Sequence, residues 1–152
     1  MAGLNISQVR TAVKDALSKA AFARTVAVHA YDPYTDPEAH HQYPCVIISI
    51  GDDGINYRET FGAAGVAKLV LRLEVRTPDG PDGEKMMDDL LSAGTGASSS
   101  LFDALANDET FGGVVASAVA LSVTAPRRFT NGTNNYWSAT YSLTINQPRS
   151  AA

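Results

Sequence analysis

Val66-Ala67-Lys68-Leu69-Val70-Leu71-Arg72-Leu73-Glu74-Val75-Arg76-Thr77 is the stretch that decides the fold. Leu69, Leu71, Leu73 and Val75 share one parity, and Lys68, Arg72, Glu74 and Arg76 share the other. A period of two is that of a strand with one face in a core. The opposite face is then half solvated or meets another protein. Upstream, Thr25–Ala30 is short and β-branched, and Cys45–Ile50 is a continuous apolar run of the kind found in strands buried on both faces. Gly51-Asp52-Asp53-Gly54 carries turn chemistry. Ile55–Phe61 reads as a further strand, with Ile55, Tyr57 and Phe61 on one face.

Further out lie the helices. Asn5 is a good N-cap, Gln8 can close a capping box, and Leu4 and Val9 stand at hydrophobic-staple positions. Val9, Val13, Ala16, Leu17 and Ala20 form one helical face, which predicts a helix over about 6–22. After the long strand, Pro78 to Gly83 is a breaker, with Pro81 suited to the first helical position. Met86, Met87, Leu90 and Leu91 form the apolar face of the helix that follows, and Gly94 ends it. Another short helix opens in Ser98-Ser99-Ser100, buries Leu101, Phe102 and Leu105, and ends near Asn107.

Two long strands close the chain. Val115, Val119, Leu121 and Val123 mark one face of the first, and Arg127 to Thr133 is the connection. In the second, Trp137, Ala139, Tyr141, Leu143 and Ile145 face in, while Tyr136, Ser138, Thr140, Ser142 and Thr144 face out. The prediction is an α+β fold. A mainly antiparallel sheet of about six strands is packed by an N-terminal helix and two short central helices. It is a single domain over 1–147, with 148–152 as a frayed tail.

Composition agrees with one globular core. The chain has 152 residues and a net charge of −4, with 45% apolar and 18% charged residues, unlike a disordered chain. Its size supports a core without disulfide or metal staples. Cys45 is the single cysteine, so no intrachain disulfide forms. The longest uncharged stretch, Thr110–Pro126, is broken by Gly112, Gly113, Ser117, Ser122 and Thr124 and is too short for a membrane span. Arg10, Lys14, Asp15 and Lys19 interrupt the first apolar residues at helical spacing, unlike a signal peptide. The expectation is a soluble protein made and kept in a cytoplasm, with no membrane partner.

No residue pattern points to catalysis. His40, His41 and Cys45 lie close together, but the spacing lacks C-x-x-C or H-x₃-H, so no metal is expected. Cys45 opens an apolar strand, where a thiol packs as a small hydrophobe. No Ser or Cys sits on a strand-to-helix elbow. Gly94-Thr95-Gly96-Ala97-Ser98-Ser99 follows a helix rather than a strand and lacks the lysine of a phosphate loop. No cofactor is expected, and the chain does not read as an enzyme. Lys68, Arg72, Arg76, Arg127 and Arg128 form a basic set without a recognised nucleic-acid motif.

The distinctive pattern is regional charge. Residues 79–109 hold Asp79, Asp82, Glu84, Asp88, Asp89, Asp103, Asp108 and Glu109 against Lys85 alone, a net of −7, and the rest of the chain carries +3. Complementary surfaces of this kind suit head-to-tail contact between subunits. The acidic 79–109 segment, including Asp88 and Asp89, is expected to meet the basic sheet edge or the Arg127-Arg128 connection of a neighbour. The interface candidates are Tyr57, Arg58, Arg72, Asp88, Asp89, Arg127, Arg128 and Tyr136. Tyr57 and Tyr136 read as exposed aromatic anchors.

The sequence resembles the tail terminator, or tail completion, proteins of long-tailed bacteriophages, most nearly those of actinobacterial phages. The opening Leu4-Asn5-Ile6-Ser7-Gln8-Val9-Arg10 carries the likeness, as do Tyr43-Pro44-Cys45-Val46 and the Leu69–Arg76 strand. So do Gly94-Thr95-Gly96 before Ser100-Leu101, Leu105-Ala106 with Phe111-Gly112-Gly113-Val114-Val115, and the aromatic last strand from Tyr136. The resemblance implies an α+β subunit that assembles into a ring, a hexamer in such proteins, on the head-proximal end of the tail tube. That ring stops tube polymerisation and offers a joining surface to the neck or head connector. Phage DNA passes through its lumen unread. The implied location is the virion tail or neck, after assembly in the host cytoplasm. A different head-tail connector or head-closure protein is the alternative; a small-ligand-binding domain or enzyme is the third reading.

Overall fold

The computed structural model describes residues 4–19, 26–33, 43–57, 66–93, 100–107, 110–115, 117–131 and 134–148. Chain order is α1 (Ile6–Ser18), β1 (Ala27–His29), β2 (Cys45–Asn56), β3 (Val66–Pro78), α2 (Pro81–Leu91), α3 (Leu101–Asn107), β4 (Ser117–Val123), β5 (Arg127–Asn131) and β6 (Asn134–Pro148).

β3 is the middle of a six-stranded sheet ordered β1-β2-β3-β6-β4, with β5 also on β6. Every pairing is antiparallel except β1 with β2. The alternation read from the sequence holds along β3. Ala67, Leu69, Leu71, Leu73, Val75 and Thr77 are fully buried, and Arg72 on the other face is exposed. The inner face of β3 joins Val46 and Ile48 of β2 and Ala139, Tyr141, Leu143 and Ile145 of β6 in one core. All three helices cover that face, through Val9, Val13 and Leu17 of α1, Met87 and Leu90 of α2, and Leu101, Ala104 and Leu105 of α3. The fold class is α+β with a mostly antiparallel sheet.

Local chemistry sets the helix ends. The Asn5 side chain accepts from the Gln8 N–H at 3.1 Å, which satisfies one of the orphan donors of α1. Ser100, fully buried, accepts from the Asp103 N–H at 3.2 Å ahead of α3. Pro81 opens α2. Gly83 faces the end of β3 so closely that a Cβ there would overlap the Pro78 carbonyl oxygen. Between α3 and β4, Phe111, Gly112 and Gly113 all have positive φ. The Thr110 carbonyl accepts from both the Gly113 and Val115 N–H groups at 3.1 Å. This turn returns Phe111 and Val115 to the core, where they are 5% and 1% exposed.

Several expectations are corrected. Gly51–Gly54 is not a turn between two strands. It lies within β2, where the register against β3 shifts between Ile50 and Ile55, because a bulge absorbs the extra residues. β2 ends at Asn56, and Phe61 and the rest of 58–65 lie outside the described residues. The Arg127–Thr133 connection contains a strand, β5, which pairs with the start of β6. Thr124 carries the ladder across the gap from β4: its N–H donates to Thr140 O at 2.9 Å, and its Oγ1 accepts from the Thr140 N–H at 3.0 Å. In β4 Ala118, opposite Ile145, is buried, while Val119 and Val123 are exposed, because this is an outer strand with a register shift between Ala120 and Ser122. The Leu121 side chain lies outside the described residues. Met86 and Phe102 are exposed rather than buried; Met87 with Leu90 and Leu101 with Leu105 take the inward positions of helices this short. α1 ends at Ser18. Pro148 pairs with Val66 and Gln147 is buried, so ordered structure extends past 147. The other helix ends read from the sequence, Gly94 and Ser98-Ser99, lie outside the described residues, as do 149–152.

Candidate functional site: the outer face of the sheet

The face of the sheet away from the helices is organised in rows by register. Glu74 stands opposite Thr140, Arg72 opposite Ser142, and Arg76 opposite Ser138. On the far side of β6, Ser138 stands opposite Arg127 and Tyr136 opposite Phe129. The centre is a half-buried ion pair. Arg76 grips Glu74 with two parallel bonds, Nε to Oε2 at 3.0 Å and Nη2 to Oε1 at 3.1 Å, and Ser138 Oγ donates to Oε2 at 2.8 Å. Burial pushes the Glu74 carboxyl up, but the Arg76 guanidinium and the Ser138 hydroxyl more than offset it, so its pKa falls below the ordinary value. Burial opposes the charge on Arg76, and Glu74 reverses this and raises it.

Both Glu74 oxygens are therefore committed to Arg76. Lys68, Arg72, Arg76 and Arg127 then stand on the outward positions of β3 and β5, with Glu74 as the one acid on the outward positions of these two strands. Arg72 and Arg127 are both exposed, and neither is within ion-pair distance of a described acid, though the Arg72 charge helps to lower the Glu74 pKa. They line one cleft of about 330 Å³ together with Thr124, Ala125, Phe129, Ser138 and Thr140. Such a cleft, with two guanidinium groups, several hydroxyls and an aromatic ring, suits a carboxylate or other oxyanion.

Of the predicted interface residues, this cleft brings together Arg72 and Arg127. Arg128 points elsewhere. It forms a forked pair with Asp79 of the same chain, at 2.8 and 2.9 Å, which lowers the Asp79 pKa and raises that of Arg128. Asp88 and Asp89 are exposed on α2, in the helical layer on the other side of the sheet. Tyr57 is 57% exposed at the end of β2. Arg58 lies outside the described residues, as do His40, His41, Asp108 and Glu109.

Tyr136 faces outward as its parity requires, but it is only 7% exposed and is not a free anchor. Phe129 stacks on it at 5.9 Å, Tyr43 packs at 5.2 Å, and the Arg76 guanidinium lies 4.8 Å from its ring centroid. The outward aromatic at this end is Phe129, 45% exposed, in a stretch whose sequence reads as a connection. Alternation along 127–131, with Arg127 and Phe129 on one parity, is the signal that locates it.

A larger cavity of about 590 Å³ lies between α1 and the Phe111-Gly112 turn, lined by Gln8, Thr11, Asp15, Lys19 and Ala104 among others. The Thr11 hydroxyl on its wall donates to the Ser7 carbonyl at 3.0 Å. No group of three or more His, Cys, Asp or Glu side chains converges among the described residues. Among them, too, no helix is long and apolar enough to cross a membrane. No protein-family model matches the chain, and no curated protein is similar to it at a significant level.

Proposed function

We propose that this chain is a structural subunit of a long-tailed phage particle, a tail terminator. In this reading it forms a ring, a hexamer, on the head-proximal end of the tail tube, stops tube growth and offers the joining surface to the neck, with DNA passing through the lumen. The observation that carries the reading is the placement of charge. Exposed acids stand on α2 on one side of the molecule. Arg72 and Arg127, with no ion-pair partner among the described residues, stand on the opposite side of the sheet. Asp79 and Arg128 of the same two segments pair within the chain, but the α2 acids and the Arg72–Arg127 face lie on opposite sides of the sheet. They satisfy each other when subunits repeat head to tail, and such a heterologous contact closes into a ring when its rotation allows. The sequence resemblance supplies the rest of the reading: the tube, the neck, the virion location and the absence of catalysis.

Electron microscopy of the purified protein, alone and mixed with tail tubes, tests this. Rings alone and single caps at one end of each tube are the expected result. A monomer that ignores tubes refutes the proposal, and rings that bind a portal but not a tube favour the connector reading.

A further inference from the structure

We infer that Asp53-Gly54 is a site of spontaneous backbone modification, at which aspartate converts to isoaspartate through a succinimide; the inference is independent of the assembly reading above. The reaction uses water and nothing else. The Gly54 amide nitrogen attacks Cγ of the neutral Asp53 carboxyl, so that an N–Cγ bond forms and the Cγ–OH bond breaks. The hydroxyl leaves with the amide proton as water. A second water then opens the succinimide at either carbonyl. Opening at Cγ restores aspartate. Opening at the α-carbonyl leaves the chain running through Cβ, with the former α-carbonyl as the side-chain carboxylate. Mass is unchanged, and the main chain gains one atom. Glycine favours the attack because it has no Cβ to crowd its nitrogen.

The chain holds three Asp-Gly pairs, Asp53-Gly54, Asp79-Gly80 and Asp82-Gly83, and the fold treats them differently. Asp82 and Gly83 lie in the first turn of α2. Closure needs the glycine nitrogen to eclipse Cβ, and a helical ψ of about −42° holds it well out of that plane. Gly83 is also buried against the Pro78 carbonyl, so it turns only if the helix opens. Asp79 is exposed but clamped. Arg128 forks onto its carboxylate at 2.8 and 2.9 Å, and the Gly80 N–H donates to the same group. These contacts lower the Asp79 pKa, and an ionised carboxylate has no hydroxyl to lose. Asp53 has neither restraint. It is exposed and makes no ion pair or hydrogen bond among the described residues. It stands in the bulge of β2, where the register passes from Ile50 to Ile55 and no ladder partner fixes Gly54. Among the described residues, nothing lies within 4 Å of a Cβ built at Gly54, so this segment has room to rotate. The bulge also accommodates the product, because it already holds residues outside the ladder.

The test ages the folded protein in heavy-oxygen water and maps its tryptic peptides by mass spectrometry. Each succinimide opening leaves one heavy oxygen, and electron-transfer fragmentation distinguishes isoaspartate from aspartate. Asp53 is read on peptide 25–58, and Asp79 with Asp82 on peptide 77–85. Asn131-Gly132, whose glycine lies outside the described residues, falls on another peptide and does not enter the comparison. Asp53 is expected to label at least about tenfold faster than Asp82, which waits for local opening of a packed helix, and several-fold faster than Asp79. In urea the fold no longer distinguishes the three sites, and their rates should converge. Arg128→Ala, verified as folded by circular dichroism, should speed labelling at Asp79 and leave Asp53 unchanged. Native Asp53 that stays unlabelled while the unfolded chain labels overturns the inference. So do native Asp79 and Asp82 that label as fast as Asp53. An Arg128→Ala protein whose Asp79 stays as slow as in wild type overturns the clamp on which the selectivity rests.

Discussion

Gly83→Ala should destabilise the protein, against the usual preference for alanine in a helix. Replacing a helical glycine by alanine ordinarily gains up to about 1 kcal/mol. Here the new methyl would overlap the Pro78 carbonyl oxygen. That oxygen cannot swing aside freely, because Pro78 is registered against Tyr136 and the Gly80 carbonyl nearby accepts from Trp137 Nε1 at 3.3 Å. The overlap is relieved only if α2 retreats from the end of β3. Met87 and Leu90, 0% and 4% exposed, would be partly unpacked. Losing about half the burial of two such side chains costs roughly 1.5–3 kcal/mol, and residual strain of overpacking adds about 1–3 kcal/mol. After the helical gain, the net loss is roughly 1.5–5 kcal/mol, or roughly 3–20 °C in Tm for a chain of this size. Urea unfolding followed by circular dichroism measures it as a lower midpoint at unchanged slope. Lys85→Ala, on the exposed side of the same helix, should stay within about 0.5 kcal/mol of wild type. A Gly83→Ala protein as stable as wild type, or more so, would refute the close approach of α2 to β3.

Three further outcomes are expected. Leu71→Ala, which opens a cavity in the middle of the core, should cost about 2–5 kcal/mol in urea unfolding, while Arg72→Ala one residue on should cost under about 1 kcal/mol; reversed values would mean that β3 is shifted by one residue. The lowered Glu74 pKa means its contribution is complete above the ordinary value of 4.5 and is lost as pH falls through the lowered one, so an acid titration of stability should show Glu74→Gln and wild type converging below that point. Burial, and after it Asp103, push the Tyr141 hydroxyl from 10.0 up to about 12; unfolding exposes an easier ionisation, so wild type should lose stability between pH 10 and 12 and Tyr141→Phe should not show this loss.

Half of the candidate site is legible in the amino-acid sequence. Alternation places Arg72, Glu74 and Arg76 on one face of a strand, and this needs nothing beyond the pleat. That Arg76 takes both Glu74 oxygens, and that Ser138 supports them, depends on β6 lying beside β3 in one register. Arg127 and Phe129 read as part of a connection because Pro126 and Asn131-Gly132 punctuate that stretch. The pairing of β5 with β6 overrides those local signals. Tyr136 shows the same limit: parity assigns its face correctly, but its burial comes from Phe129 and Tyr43, distant in sequence or on another strand.

What the sequence by itself determined is therefore what short-range chemistry controls. It includes the α+β class, the inward residues of β3 and β6, the Asn5 start of α1 and the Pro81 start of α2. These follow from the period of two, the period of 3.6 and capping, each complete within a few neighbouring residues. The tertiary structure alone decided that Cys45–Asn56 is one bulged strand, that 127–131 is a strand, that Arg128 pairs with Asp79 and that Arg72 and Arg127 share a cleft. Ladder hydrogen bonds, burial and ion pairs belong to residues brought side by side by register, and a register is a property of two segments that neither one encodes alone.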